Sequence, residues 1–462
     1  MPTWYRPEGA IAFPIVTRNR FSPEPAMKIP LVQQIRQTAP QPFVADVYAE
    51  CRRVWKDSKL AARIRPGMSI AVGCGSRGIK NHGLLAKATV DALLELGAKP
   101  FVVAAMGSHG GATPDGQRSL LAHSQIDEAH LGVPVKTEMD AVQVGTNSWG
   151  EPVWHDKNAL AADGLVTVAR IKPHTDFRGD FESGILKMLV IGLGKRDGAD
   201  QHHRWGIRGL RDMMPETAKV LIEKTKFLGG LGILENAKEQ TARLEVVDRD
   251  DLLSREPALL QEAFGLLGRI PFDQLDVLII GECGKNYSGA GIDPNVVGRL
   301  LIEGHPHLET NKPQITRIGC LDISPDSDGN GTGIGIADLT TTRALKAIWS
   351  RPFEMNNLTA RFLWRSKLPF SFGTDRECIE ACVDTCWNPI FDKIRFAVIP
   401  NTLEVAEMWV SAPLIEEAKG IEGLEPVSEA RELPFDERGG FRQEVLFPEC
   451  VRAQRGVAKG GH

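Results

Sequence analysis

The feature that most restricts the fold is a rhythm that begins at Pro66. "MSIAVGCG" is a short apolar run closed by glycine. "GLLAKATVDALLELG" has helical spacing and a natural stop at Gly97, and "KPFVVAAMG" is a second apolar run closed by glycine. "GLVTVARIKP" repeats the strand pattern, and "TAKVLIEKTKFLGGLGILENA" reads as helix, turn and strand. Strands apolar on both faces need helices to cover them, so this alternation predicts a mainly parallel α/β sheet. A second block opens near Pro271 with "FDQLDVLIIGECG", "ITRIGCLDIS", "TTTRALKAIW" and "DKIRFAVIPNT", after the helical stretch "REPALLQEAFGLLGRIP". The expectation is two α/β domains, 1–270 and 271–462, with mainly parallel sheets and a cleft between them. The first 40 residues are read as wrapping over the fold and the last 20 as a flexible tail.

The chain has 462 residues, 42% hydrophobic and 25% charged, enough for two cores. Its net charge of −4 offers no basic surface for nucleic acid or an anionic membrane. No window approaches 18 uninterrupted apolar residues, and "MPTWYRPEGAIAFPIV" lacks a Lys/Arg-led apolar leader, so the reading is a cytoplasmic protein. The eight cysteines form no CxxC pair. Cys378, Cys382 and Cys386 are spaced four apart, a stripe on a helix that reads as a packing face.

Four predicted strands end in loops dense with glycine and polar residues: "GCGSRGIKNH", "MGSHGGATPDG", "IKPHTDFRGDFESG" and "GECGKNYSGAG". Ligands of parallel sheets bind beyond the carboxyl ends of strands. There the chain carries Arg77, His109, His174, Lys187, Lys285 and Asn286. Three of the loops belong to the first block and one to the second, which places the expected site between domains. Gly73, Gly75 and Gly78 spell a dinucleotide fingerprint, but the next strand ends without the acid that would hold a ribose. "VIGLGKRDG" fails as a P-loop. "DISPDSDGNGTG" begins like a calcium loop, yet position twelve from Asp326 is Ala337.

The stretch from Ala169 to His203 concentrates the chemistry. Imidazoles near pKa 6.5 suit both metal binding and proton transfer. His202 and His203 are adjacent and point in different directions, so at most one shares a centre with His174. Lys187 stands in "GILKMLVIG" among apolar residues, where burial turns an amine into a nucleophile or covalent anchor. These residues alone leave open a zinc-type hydrolase on His109, His174 and His203, a metal held by one histidine with the others as bases, or a non-catalytic binding protein.

"GSHGGAT", "IKPHTDFRGDFESGILKMLVIGLGK" with its following histidines, and "GKNYSGAGIDPNVVGR" resemble the nickel-dependent lactate racemase family, over about Pro66 to Asp338. The resemblance implies a nickel-pincer nucleotide (a pyridinium-3-thioamide-5-thiocarboxylic acid mononucleotide carrying nickel), supplied by cofactor biosynthesis proteins. It also implies a racemase or epimerase acting at C2 of a 2-hydroxy acid by hydride transfer. By position His109 and His174 match the catalytic pair, and Lys187 matches the tethering lysine, with Lys195 as competitor. His203 matches the nickel ligand, with His202 as fallback. Ser76, Ser183 and Gly184 fall on the cofactor side, and Arg77, Lys285 and Asn286 on the substrate side. The family's acid in the first loop and its Trp/Gln/Lys substrate motif have no counterpart, which implies a substrate other than lactate. Oligomeric state is left open.

Overall fold

The computed structural model describes residues 29–76, 78–305 and 312–450. It is mixed α/β, built on two large sheets and a hairpin. The strands in chain order are β1 (Gln33–Gln37), β2 (Ser69–Cys74), β3 (Lys99–Ala104), β4 (Val135–Lys136), the hairpin β5 (Ala141–Thr146) and β6 (Pro152–Asp156), β7 (Gly164–Arg170), β8 (Phe227–Glu235) and β9 (Thr241–Asp248). Then come β10 (Gln274–Ile280), β11 (Gln314–Cys320), β12 (Leu339–Thr341), β13 (Phe370–Phe372), β14 (Phe396–Ile399), β15 (Glu407–Val410) and β16 (Leu424–Pro426).

The first sheet runs β4-β3-β2-β7-β8-β9, parallel except for the last pair. Alternate residues of its strands point to opposite faces, and both faces are apolar. Ile70, Val72, Val102 and Val166 enter one core, while Ala71, Val103 and Leu165 enter the other. The order β3-β2-β7 sets three of the expected glycine loops side by side at one sheet edge.

The second sheet runs β13-β12-β11-β10-β14-β15-β1-β16, parallel from β13 to β14 and antiparallel beyond. Its β1 corrects the expected division. Residues 33–37 were assigned to the first domain, yet β1 pairs with β15 and β16. The signal for this is long-range pairing, which local periodicity does not carry. The helix Leu252–Leu266 ends just before β10 begins. Cys378, Cys382 and Cys386 pack with Val277 and Ile279 in one core, as their stripe suggested. Among the described residues no helix is long and apolar enough to cross a membrane. Residues 1–28 of the expected 40-residue wrap and 451–462 of the expected 20-residue tail lie outside the described residues; the start of that tail is not loose, since Gln443–Leu446 is a short helix and Leu446, Phe447 and Cys450 are buried.

Candidate active site

The loops after β2 and β3 meet first. Ser76 Oγ stands 2.7 Å from His109 Nδ1. Gln117 holds the His109 loop from below, donating to the carbonyls of Gly107 (2.9 Å) and His109 (3.3 Å). A β-carbon on Gly75 would lie 3.2 Å from Met188 Cε, and one on Gly107 would lie 3.2 Å from the Ala199 β-carbon. Both loops therefore rest on the helical run that carries Lys187 and His203. Arg77 lies outside the described residues.

That run starts with the short turn Ile185–Lys187, widens to a π turn over Met188–Gly192 and continues as the helix Lys195–Arg204. Such widened turns often mark functional positions. Lys187 Nζ lies 2.6 Å from His174 Nε2. The ring's other nitrogen, Nδ1, accepts from the Asp176 backbone N–H at 3.0 Å. A neutral His174 with Nδ1 accepting carries its proton on Nε2, where it donates only to the unprotonated fraction of the amine. Two positive charges would repel here. Burial, then the Lys187 charge, holds the His174 ring well below its usual range, and burial pushes Lys187 down to about 8.

The carboxylates that frame this pair have separate jobs. Burial alone would raise Asp176, but Arg365 and His174 more than offset it, and the group stays below the usual carboxylate range. Arg365 lies between β12 and β13, is 2% exposed, and donates to Asp176 Oδ1 (2.5 Å), Thr175 O (2.7 Å) and Leu300 O (2.7 Å). Glu182 accepts from the backbone N–H of His174 (2.5 Å) and of Gly179 (3.1 Å). Burial pushes its carboxyl up to about 6.

The two competing pairs separate on geometry. Lys195 is fully buried and bonds Asp156 Oδ2 and Ala104 O, each at 2.7 Å, so its amine is spent inside the fold. His202 is also spent: Nδ1 meets Gly198 O at 2.8 Å and Nε2 meets Thr217 Oγ1 at 3.2 Å. His203 is only part-buried, and neither ring nitrogen has a hydrogen-bond partner among the described residues. Burial, then the nearby Lys187 charge, lowers it; Asp176 and Arg361 are also within electrostatic reach.

The remaining candidates are less direct. Ser183 bridges Lys172 through its backbone, with 3.1 and 3.2 Å hydrogen bonds, and Gly184 leads into the Lys187 turn. Lys285 folds its amine onto Gly289 O at 2.5 Å, and Asn286 is exposed. Their loop does face the first domain, since a β-carbon on Gly289 would lie 3.9 Å from Thr175 Oγ1. Among the described residues no three His, Cys, Asp or Glu side chains gather to hold a metal ion. Asp176, Glu182 and Arg365 were missed as site residues. The two acids stood in the quoted motif, while "LWRSK" gave no signal for Arg365.

Residues 44–212 match the family model described as the lactate racemase N-terminal domain. Over that segment, a little more than a third of the chain, the protein resembles the lactate racemase N-terminal domain. The matched segment includes Ser76, His109, His174, Lys187 and His203, and stops short of Lys285, Asn286 and Arg365. The lactate racemase apoprotein of Thermoanaerobacterium thermosaccharolyticum shares its fold, at 12% identity over 81% of this chain and 99% of that one, with a TM-score of 0.51. A structural-genomics crystal structure from Thermotoga maritima is 15% identical over 72% of this chain and 84% of that one; its TM-score of 0.44 adds no argument. No curated protein matches the sequence.

Proposed function

We propose that this protein is a racemase or epimerase of the lactate racemase kind that inverts C2 of a 2-hydroxy acid other than lactate, using a nickel-pincer nucleotide tethered to Lys187. The observation that carries the reading is the 2.6 Å contact between Lys187 and His174. An amine held down to about 8 is partly unprotonated at neutral pH, as a lysine that would be covalently tethered must be. His203, with an uncommitted imidazole near Lys187, fits the single protein ligand that nickel needs when sulfur and carbon donors come from elsewhere.

When bound, the nucleotide supplies the hydride acceptor. The protein's own part is proton management. A thioamide tether would leave the Lys187 nitrogen without a basic lone pair. His174 would then carry its proton on Nδ1, 3.8 Å from Asp176 Oδ2, and take the substrate hydroxyl proton at the bare Nε2. His109, oriented by Ser76, takes the same part for the opposite configuration. Arg77 binds the substrate carboxylate as a planar fork, and Lys285 and Asn286 face the rest of the molecule. Ser76, Ser183 and Gly184 line the cofactor side.

The test is intact-mass and peptide mapping of protein matured with the pincer biosynthesis proteins, followed by a panel of chiral 2-hydroxy acids scored for loss of optical purity. An adduct on Lys187, absent in Lys187→Ala, with racemisation of one panel member, is expected. An adduct on another lysine, or no adduct at all, overturns the reading.

A further inference from the structure

Glu256 is an anomaly in its surroundings. It sits on the helix Leu252–Leu266 and is 1% exposed, on a face that shares a core with Ile185, Leu186, Leu259 and Leu260. Among the described residues no cation pairs with it, and its Oε1 has no hydrogen-bond partner. Burying an acid in this way costs several kcal/mol unless something is gained. A leucine would fill the same space without that cost.

What the carboxyl touches explains it. Oε2 accepts from the backbone N–H of Leu186 at 3.0 Å, inside the turn that ends in Lys187. The amides of Ile185 and Leu186 would otherwise be orphan donors at a helix start. Room for the carboxyl comes from Gly184, where a β-carbon would lie 2.7 Å from Glu256 Cδ. Gly184 therefore has a local reason to be glycine: its backbone is extended, and the space is taken by the acid. Burial pushes the carboxyl up to about 7, partly offset by the two amides, so about half of the group is protonated at neutral pH.

We infer that Glu256 is a positioning residue: its carboxyl locks the Ile185–Lys187 turn and so holds the Lys187 amine against His174. This deepens the proposal that Lys187 is the anchor, and rests on it for its purpose. The physical claim concerns only this chain's own residues. With the lock removed, the turn relaxes and the amine leaves its buried place among His174, Asp176 and Glu182 for water. Its proton affinity then returns towards that of an ordinary lysine.

The experiment uses cofactor-free full-length protein. Lys187 acylation by acetic anhydride is followed by peptide mass mapping across pH, with exposed lysines as internal standards and circular dichroism as a fold check. Glu256→Leu fills the core but removes the acceptor, and should raise the acylation midpoint by one pH unit or more from about 8. Glu256→Gln keeps an acceptor for Leu186 and should restore the midpoint. Gly184→Ala pushes on the carboxyl from the other side and should move the midpoint as Glu256→Leu does. A folded Glu256→Leu or Gly184→Ala protein with an unmoved midpoint overturns the inference. So does loss of fold in both while Glu256→Gln is unchanged, because the acid is then a structural cap only. Because no cofactor is present, the result is independent of whether the adduct forms on Lys187.

Discussion

Lys187 and Lys195 are eight positions apart in one helical run, and replacing each by methionine should change stability in opposite directions. Lys195 is fully buried against Asp156, itself 1% exposed, and also donates to Ala104 O. Lys195→Met strands a buried carboxylate, a loss of about 3–5 kcal/mol. Lys187 stands at a cost instead. Its folded pKa is down from 10.5 to about 8, and each tenfold change in proton affinity is worth about 1.4 kcal/mol. The folded state binds this proton less well than the unfolded chain, so stability rises with pH between about 8 and 10.5 and is lower throughout the range below. Removing the charge at pH 7 should therefore stabilise the apoprotein, by up to about 3 kcal/mol before any packing loss from the new side chain. Urea unfolding of the apoprotein variants at pH 7 reads both effects. Lys195→Met combined with Asp156→Asn should recover most of its loss, since the asparagine keeps the acceptor that caps Ala159 N–H at 2.7 Å. If Lys195→Met costs under about 1 kcal/mol, the buried-pair argument is wrong. If Lys187→Met destabilises, the claim that its amine is held at a cost is wrong.

Matured His203→Ala protein should keep the organic adduct and lose nickel by total-metal analysis. His202→Ala should lose thermal stability and keep its nickel; the reverse pattern would exchange their roles. Arg365→Met removes three hydrogen bonds to Asp176, Thr175 and Leu300. It should cut kcat about 10-fold or more with the protein still folded, because the Asp176 carboxylate is no longer held beside His174 Nδ1. An unchanged kcat would make Arg365 a structural contact without catalytic consequence.

What the sequence disclosed follows the range of the interactions. Alternation of apolar runs with helical spacing is local, and it made both parallel sheets legible. The glycine loops were legible because three strands adjacent in the sheet end in the same chemistry. Lys187 against Lys195 was not decidable from spacing, since both stand beside apolar residues; what separates them is Asp156, some forty positions upstream on β6. Arg365 was invisible for the same reason, reaching a loop nearly two hundred positions away. His203 was favoured over its neighbour by position in the motif. The physical grounds for the choice, the Gly198 and Thr217 partners of His202, exist only in the fold.

The place of β1 has a consequence for synthesis of the chain. Gln33–Gln37 must find β15 and β16, which leave the ribosome last, while the whole first sheet is translated in between. At common elongation rates this strand waits on the order of tens of seconds without a partner. Its sequence suits the wait: "QQIRQ" offers one buried apolar side chain, Ile35, among amides and an arginine. A strand this polar resists pairing with a neighbouring nascent chain. The first sheet needs nothing from the carboxyl-terminal half for its strand pairing, so it can form early, while the second closes only when translation is nearly complete. A fragment that starts at residue 271 therefore emerges with an open slot in its sheet.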